Sequence, residues 1–211
     1  MSIGLSPDTI VLPMTLGAEY DVIYSVGPFV HDILAGTITS LTDSVFPSDI
    51  TSIRNYLFQN NYSLTKVELN YVTDIGISAF SGCSITELSM PSLVETGMQA
   101  FAYNPLTEVY LPSLISVGTQ MLQGCDSLVS ADFPAATVLY RSCFSGCENL
   151  ETLILRANEV ATLEGILQFN GTKIEAGEGY IYVPSDLVES YQTASGWSEF
   201  SSQIRSIADL G

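Results

Sequence analysis

Hydrophobic positions along the chain follow neither a long helical period nor a long strand alternation. They return as a block. Leu64, Val67 and Leu69, set among polar residues, reappear as Ile85, Leu88 and Met90, then as Leu106, Val109 and Leu111. The block continues as Leu128, Ala131 and Phe133 and as Leu150, Leu153 and Leu155, while Leu41-Thr-Asp-Ser-Val-Phe46-Pro47 reads as its first copy. Starts at residues 41, 64, 85, 106, 128 and 150 lie 21 to 23 residues apart. A fixed interval of that size is the mark of a stacked repeat.

A second column trails the first: Phe58, Phe80, Phe101, Leu122 and Phe144, mostly behind a small residue such as Ala79, Ala100 or Cys143. Gly76, Gly97 and Gly118 stand between the columns, where each coil is expected to turn tightly. Each L-x-x-V-x-L stretch alternates inward and outward, so it predicts a short strand pairing in parallel with its counterpart in the next coil. The proline that follows in most copies cannot donate to that ladder and ends the strand. One coil cannot bury its apolar side alone, whereas six stacked coils can. The predicted fold is therefore a leucine-rich-repeat solenoid with its coils over residues 41–172.

The pattern L-x-x-V-x-L-P-x-L-x-x-V-G-x-x-A-F-x-x-C resembles the BspA-like leucine-rich repeats of bacterial surface proteins. Tyr180-Ile-Tyr-Val-Pro184 through Val188-Glu-Ser-Tyr191 to Gly196-Trp197-Ser198 is similar to the closing segment that commonly follows such repeats. Asn70 and Arg156 depart from the proline position and Leu122 from the aromatic one, and the stretch from Ala157 to Thr172 is longer, so an irregular last coil is expected. The resemblance implies surface display and attachment to molecules of a host or neighbouring cell.

Terminal coils need caps, because an open end exposes the apolar cross-section. Residues 173–211 are expected to form a C-terminal helical cap, with Ser185 as helix N-cap, Leu187, Val188, Tyr191 and Ala194 on the buried face, and Trp197 beyond Gly196. Residues 1–40 fall outside the repeat, although Thr9 to Leu16 and Tyr20 to Val26 are strand-like. They read as an N-terminal cap; the alternative is an attachment arm, which could also join copies into a homo-oligomer.

Charge narrows the partners. The chain of 211 residues carries 23 Asp and Glu against 6 Lys and Arg, a formal net charge of -17. Such a field repels phosphate backbones and anionic lipid, which argues against nucleic acid or a membrane surface as partner. No apolar run approaches the ~18 residues of a membrane span. The first residues lack the basic, apolar pattern of a secretory signal. Display on a bacteriophage virion would reconcile a surface role with that start.

Catalytic chemistry is hard to assemble from these residues. His31 is the single histidine, it lies outside the repeats, and a structural or surface role is expected for it. Cys83, Cys125 and Cys147 share one repeat position with Asn104, and Cys143 lies nearby. Their spacing is not that of a zinc site, and a column satisfying turn backbone is the expected role. No cofactor or metal is expected. The sequons at Asn61 and Asn170 are expected to be unused.

The outward strand positions form two ladders. One reads Asp43, Lys66, Glu87, Glu108, Ser130 and Thr152, the other Val45, Glu68, Ser89, Tyr110, Asp132 and Ile154. The candidate binding face is Lys66, Glu68, Glu87, Ser89, Glu108, Tyr110, Ser130 and Asp132. Its carboxylates would suit calcium or a basic partner, or serve only solubility. The reading favoured is a non-enzymatic recognition or adhesion module for a protein or glycan. A structural decoration protein of a larger assembly is the alternative, and a glycosidase using Glu87 and Glu108 is the enzymatic one.

Overall fold

The computed structural model describes residues 39–43 and 50–210. The strand-like stretches before residue 27, His31 and most of the expected N-terminal cap lie outside the described residues. The rest is a parallel solenoid with a sheet on each of two sides. The first side holds β1 (Ser40–Thr42), β3 (Lys66–Glu68), β5 (Glu87–Ser89), β7 (Glu108–Tyr110), β9 (Ser130–Phe133), β11 (Thr152–Leu155), β13 (Tyr180–Val183) and β14 (Ile204–Ser206). The second holds β2 (Ser52–Ile53), β4 (Asp74–Ile75), β6 (Glu95–Thr96), β8 (Ser116–Val117), β10 (Val138–Tyr140) and β12 (Thr162–Glu164). Most strands of this second side have two residues, too few to show alternation, so the repeat pattern predicted only the first side.

In each coil the middle residue of the L-x-x-V-x-L strand points inward. Val67 is buried between the more exposed Lys66 and Glu68, and Val109 between Glu108 and Tyr110. The first coil departs from expectation. Leu41 pairs with Val67, not Leu64, so Ser40 and Thr42 lie in register with Lys66 and Glu68. Asp43 therefore leaves the ladder, and its carboxylate accepts from the Asn70 backbone N–H at 3.0 Å. The cause is visible in the sequence: counted from Leu41 the inward position of the block falls on the polar Ser44, where later copies carry Val67, Leu88 or Val109.

The aromatic column forms the spine of the third side. Phe58, Phe80 and Phe101 stack with ring centroids 5.2 and 5.6 Å apart, and Phe144 stacks on Phe169 at 5.8 Å. Backbone bonds tie the coils together along this spine, as from Phe80 N–H to the Ala100 carbonyl at 2.9 Å. Left-handed residues flank each ring, for example Ser78 (φ 50) and Gly82 (φ 68) about Phe80. Phe169 is the sixth member of the column, hidden from the sequence pattern by the longer final coil.

Two expectations about small residues resolve differently. Gly97 does not sit at positive φ; a Cβ there would lie 2.5 Å from the Ile77 nitrogen and 2.6 Å from the Gly76 carbonyl carbon. Close approach of adjacent coils, not turn geometry, requires the glycine. The Cys/Asn column does satisfy backbone as expected. The thiols of Cys83, Cys125 and Cys147 donate to the carbonyls of Phe58, Phe101 and Leu122 at 3.0, 3.4 and 3.1 Å. Asn104 serves the same position with more capacity: its Nδ2 donates to Phe80 and Phe101 carbonyls at 2.8 and 2.9 Å, and its Oδ1 accepts from Ile85 N–H at 3.0 Å.

The C-terminal segment adds both strand and helix. β13 and β14 extend the first sheet beyond β11, and helix α1 (Val188–Thr193) follows a short 3-10 turn over Ser185–Leu187. Ser185 does not cap the helix; its hydroxyl pairs with that of Ser206 at 2.6 Å. Trp197 is buried, donates from Nε1 to the Ala161 carbonyl at 2.6 Å and meets Tyr191 edge-on at 5.1 Å. The Tyr191 hydroxyl accepts from the Ala161 N–H at 2.9 Å, so both aromatics fasten the lid to one residue of the last coil.

Candidate binding face

The eight residues singled out from the sequence all lie on the outward positions of the first sheet, divided between two ladders. β1, β3 and β5 form one, and β7, β9, β11, β13 and β14 the other. β5 and β7 are neighbours in the stack without forming a ladder, and the second sheet is interrupted at the same level, between β6 and β8. Pro105 stands at this seam. In the preceding coil the corresponding Ser84 N–H donates to the Leu64 carbonyl at 3.1 Å, and a proline has no such donor.

Opening of the seam changes the surface. Leu88, the inward residue of β5, is only partly buried where its counterparts Val67 and Val109 are buried. It forms the floor of a depression of about 340 Å³ lined by Glu68, Thr86, Glu87, Ser89, Thr107, Glu108 and Tyr110. Five of the eight candidates thus line one hollow, whereas Lys66, Ser130 and Asp132 stand outside its lining.

The carboxylates are less free than their count suggests. Lys66 Nζ bridges Glu68 at 2.9 Å and Glu87 at 3.2 Å, and its hydrogen bonds to them push its pKa up. Asp132 receives Arg156 through Nε at 3.1 and 3.2 Å and through Nη2 at 2.8 Å, and that bond raises the pKa of the guanidinium. Arg156 was visible in the sequence only as a missing proline; that it stands in place of the proline after the strand, one coil beyond Asp132, is the signal that could have paired them. Among the described residues no group of three His, Cys, Asp or Glu side chains is arranged to hold a metal ion.

The C-terminal half of the face carries residues the sequence reading did not select. Tyr180 and Tyr182 of β13 project outward with ring centroids 6.3 Å apart, and the Arg205 guanidinium lies 4.8 Å from the Tyr180 ring centroid. They were overlooked because the segment carried no L-x-x-V-x-L block, although Tyr-Ile-Tyr-Val has the alternation of a half-buried strand.

Elsewhere the cysteines are chemically quiet. All four are free, and burial pushes Cys83 and Cys125 up to about 12 and Cys143 and Cys147 higher still. Such thiols carry almost no thiolate at neutral pH. Glu87 and Glu108 are both exposed, and Glu87 is ion-paired, an arrangement without the desolvated cleft in which carboxylate catalysis operates. Among the described residues no helix is long and apolar enough to cross a membrane.

A parallel solenoid of 21 to 23 residue coils with an aromatic spine defines a leucine-rich-repeat protein. The chain belongs to the BspA type leucine rich repeat region family, which matches residues 35–164 in six copies. This repeat family is generally non-catalytic. Among solved structures, the chain is similar to a leucine-rich repeat protein from Bacteroides ovatus, with 21% identity, a TM-score of 0.53, and coverage of 70% of this chain and 39% of that one. It is also similar to the T. pallidum leucine rich repeat protein, with 22% identity, a TM-score of 0.50, and coverage of 74% and 83%. A leucine rich cell surface protein from Faecalibacterium prausnitzii matches at 21% identity with a TM-score of 0.45, over 58% of this chain and 44% of that one. The chain therefore spans about two fifths of the length of the Bacteroides and Faecalibacterium proteins. Among curated proteins nothing matches.

Proposed function

We propose that the chain is a non-enzymatic recognition module, displayed on a bacterial surface, that binds a protein or glycan partner through the outward face of its first sheet. The observation that carries this reading is the hollow at the seam. There the sheet opens over Leu88, and Tyr110, 57% exposed, stands at the rim beside Glu68, Glu87 and Glu108. Solenoids bind through such extended faces because stacking presents one residue type at regular steps. Family membership supports a cell surface over a virion as the place of display.

Retention of the purified chain on epithelial cells, on cultured bacteria and on extracellular matrix tests the reading, beside a variant carrying Glu68→Ala, Glu87→Ala, Glu108→Ala and Tyr110→Ala. Retention by at least one surface that the folded variant loses is the expected result. A chain retained nowhere would favour a purely structural role. Retention that the variant preserves would place recognition away from the hollow.

A further inference from the structure

We infer that the C-terminal half of the same face is a platform for neutral glycans, built from Tyr110, Ile154, Tyr180 and Tyr182 around the Asp132–Arg156 pair. This rests on the reading of the face as the recognition surface and adds its ligand chemistry. Strand register places Tyr110, Asp132, Ile154, Tyr182 and Arg205 in one outward ladder. Successive members stand ~4.8 Å apart. Tyr180 lies two residues before Tyr182 on the same strand and so shares its face.

Three features favour an uncharged sugar. The first is local charge. In a chain of net charge -17 this half keeps its one ladder aspartate engaged by a guanidinium, and its other outward positions are Ser130, Thr152, tyrosines, Ile154 and Arg205, with Glu108 at the border. A basic peptide would instead be drawn to the Glu68 and Glu87 half, and a polyanion would be repelled by the whole chain.

The second is continuity. Ile154 points outward yet is only 9% exposed, so neighbouring side chains pack closely around it between Asp132 and Tyr182. The third is the match of chemistry. A pyranose presents a patch of C–H groups on its ring face and hydroxyls around its rim. Exposed phenol rings accept the former, with Tyr180 41% exposed and Tyr110 more so. A fixed planar Arg–Asp pair meets the hydroxyls: Arg156 commits Nε and Nη2 to Asp132, leaving Nη1 as a positioned donor. Arg205, stacked on Tyr180 and donating to its neighbour's carbonyl at 2.9 Å, holds one ring in place.

The test is a printed panel of neutral gluco-, galacto- and manno-oligosaccharides beside sialylated and uronic-acid oligosaccharides, probed with the full chain at low and high salt. Retention on neutral members, unchanged by salt and weakened ~tenfold by Tyr182→Ala or Tyr180→Ala, is expected. Tyr62→Ala, at a tyrosine 72% exposed away from this ladder, should leave it unchanged. No neutral member retained, retention confined to acidic members, or retention indifferent to both tyrosine variants would each overturn the inference. Since circular dichroism of each variant shows whether it is folded, and Tyr180→Ala touches an exposed ring, loss of binding is separable from loss of structure. A chain that binds cells but no glycan would refute this inference and leave the proposed function standing.

Discussion

Asn104 offers the sharpest test of how the coils are held together. It is 2% exposed, and its side chain joins two adjacent coils: at the level below, Oδ1 accepts from Ile85 N–H and Nδ2 donates to the Phe80 carbonyl, while Nδ2 also donates to the Phe101 carbonyl at its own level. Replacement by alanine strands one buried donor and one buried acceptor of the neighbouring coil. Each orphaned group costs about 1 to 3 kcal/mol, so Asn104→Ala should lose roughly 2 to 6 kcal/mol. With a urea slope of about 2 kcal/mol per molar, the midpoint should fall by about 1 to 3 M. Asn104→Cys is the informative companion, because cysteine fills this column at 83, 125 and 147 and there donates to the equivalent carbonyl. A thiol can serve the Phe80 carbonyl but is a poor acceptor for Ile85 N–H, so this variant should fall about halfway. Urea unfolding followed by far-UV circular dichroism and by the fluorescence of Trp197, the single tryptophan, reads both. An alanine variant as stable as the parent, or a cysteine variant no better than alanine, would refute the column as the coupling between coils.

Three further outcomes follow from the packing. Gly97→Ala should destabilise by about 1 to 3 kcal/mol through overpacking. Gly146→Ala, where the nearest atom is 3.6 Å away but φ is +77, should lose about 1 to 2 kcal/mol from backbone strain alone; equal and negligible melting shifts for both would contradict the close-approach explanation. Stability should fall with rising pH above 9: burial holds Cys83 and Cys125 protonated up to about 12 against an ordinary value of 9.0, so the unfolded chain releases protons that the folded chain keeps. Each such thiol removes about 1.4 kcal/mol per pH unit between those limits, and stability is full below pH 9; equal urea midpoints at pH 8 and pH 10 would be inconsistent with buried thiols. Trp197→Ala should lose about 3 to 5 kcal/mol and loosen the lid. Self-association detected by size-exclusion chromatography is then expected from the uncovered last coil, and a stable monomeric variant would show that Trp197 does not seal the end.

The coil and its spine could be read from residue order because they depend on a strict period. Leu64, Val67 and Leu69 must face inward wherever they recur, and Phe80 must stack on Phe101, so burial and sequence carry the same signal. Deviations from the pattern hid the rest. The polar Ser44 occupies the inward position of the first block and Leu41 pairs with Val67 instead of Leu64, a shift of three positions, and the longer last coil concealed Phe169. Two-residue strands such as Asp74–Ile75 carry no alternation and were invisible. On the binding face the sequence supplied the outward residues but not their partners. Lys66 beside Glu87, and Arg156 beside Asp132, become pairs only when adjacent coils are stacked in register. The seam at Pro105 lies between these levels. Its proline precedes the strand, outside the repeat pattern, and the hollow over Leu88 depends on how two coils part.

Tyrosine footprinting of the chain bound to a retaining cell surface tests most directly which side of the solenoid recognises a partner. Iodination followed by peptide mass spectrometry compares exposed rings on the first sheet, Tyr110 and Tyr180, with Tyr140 on the second and Tyr56 and Tyr62 beside the aromatic spine. Protection of Tyr110 and Tyr180 upon binding, with Tyr140, Tyr56 and Tyr62 modified as in the free chain, is the predicted result. Protection of Tyr140 or of Tyr56 and Tyr62, with Tyr110 and Tyr180 still open, would contradict the assignment of the binding face.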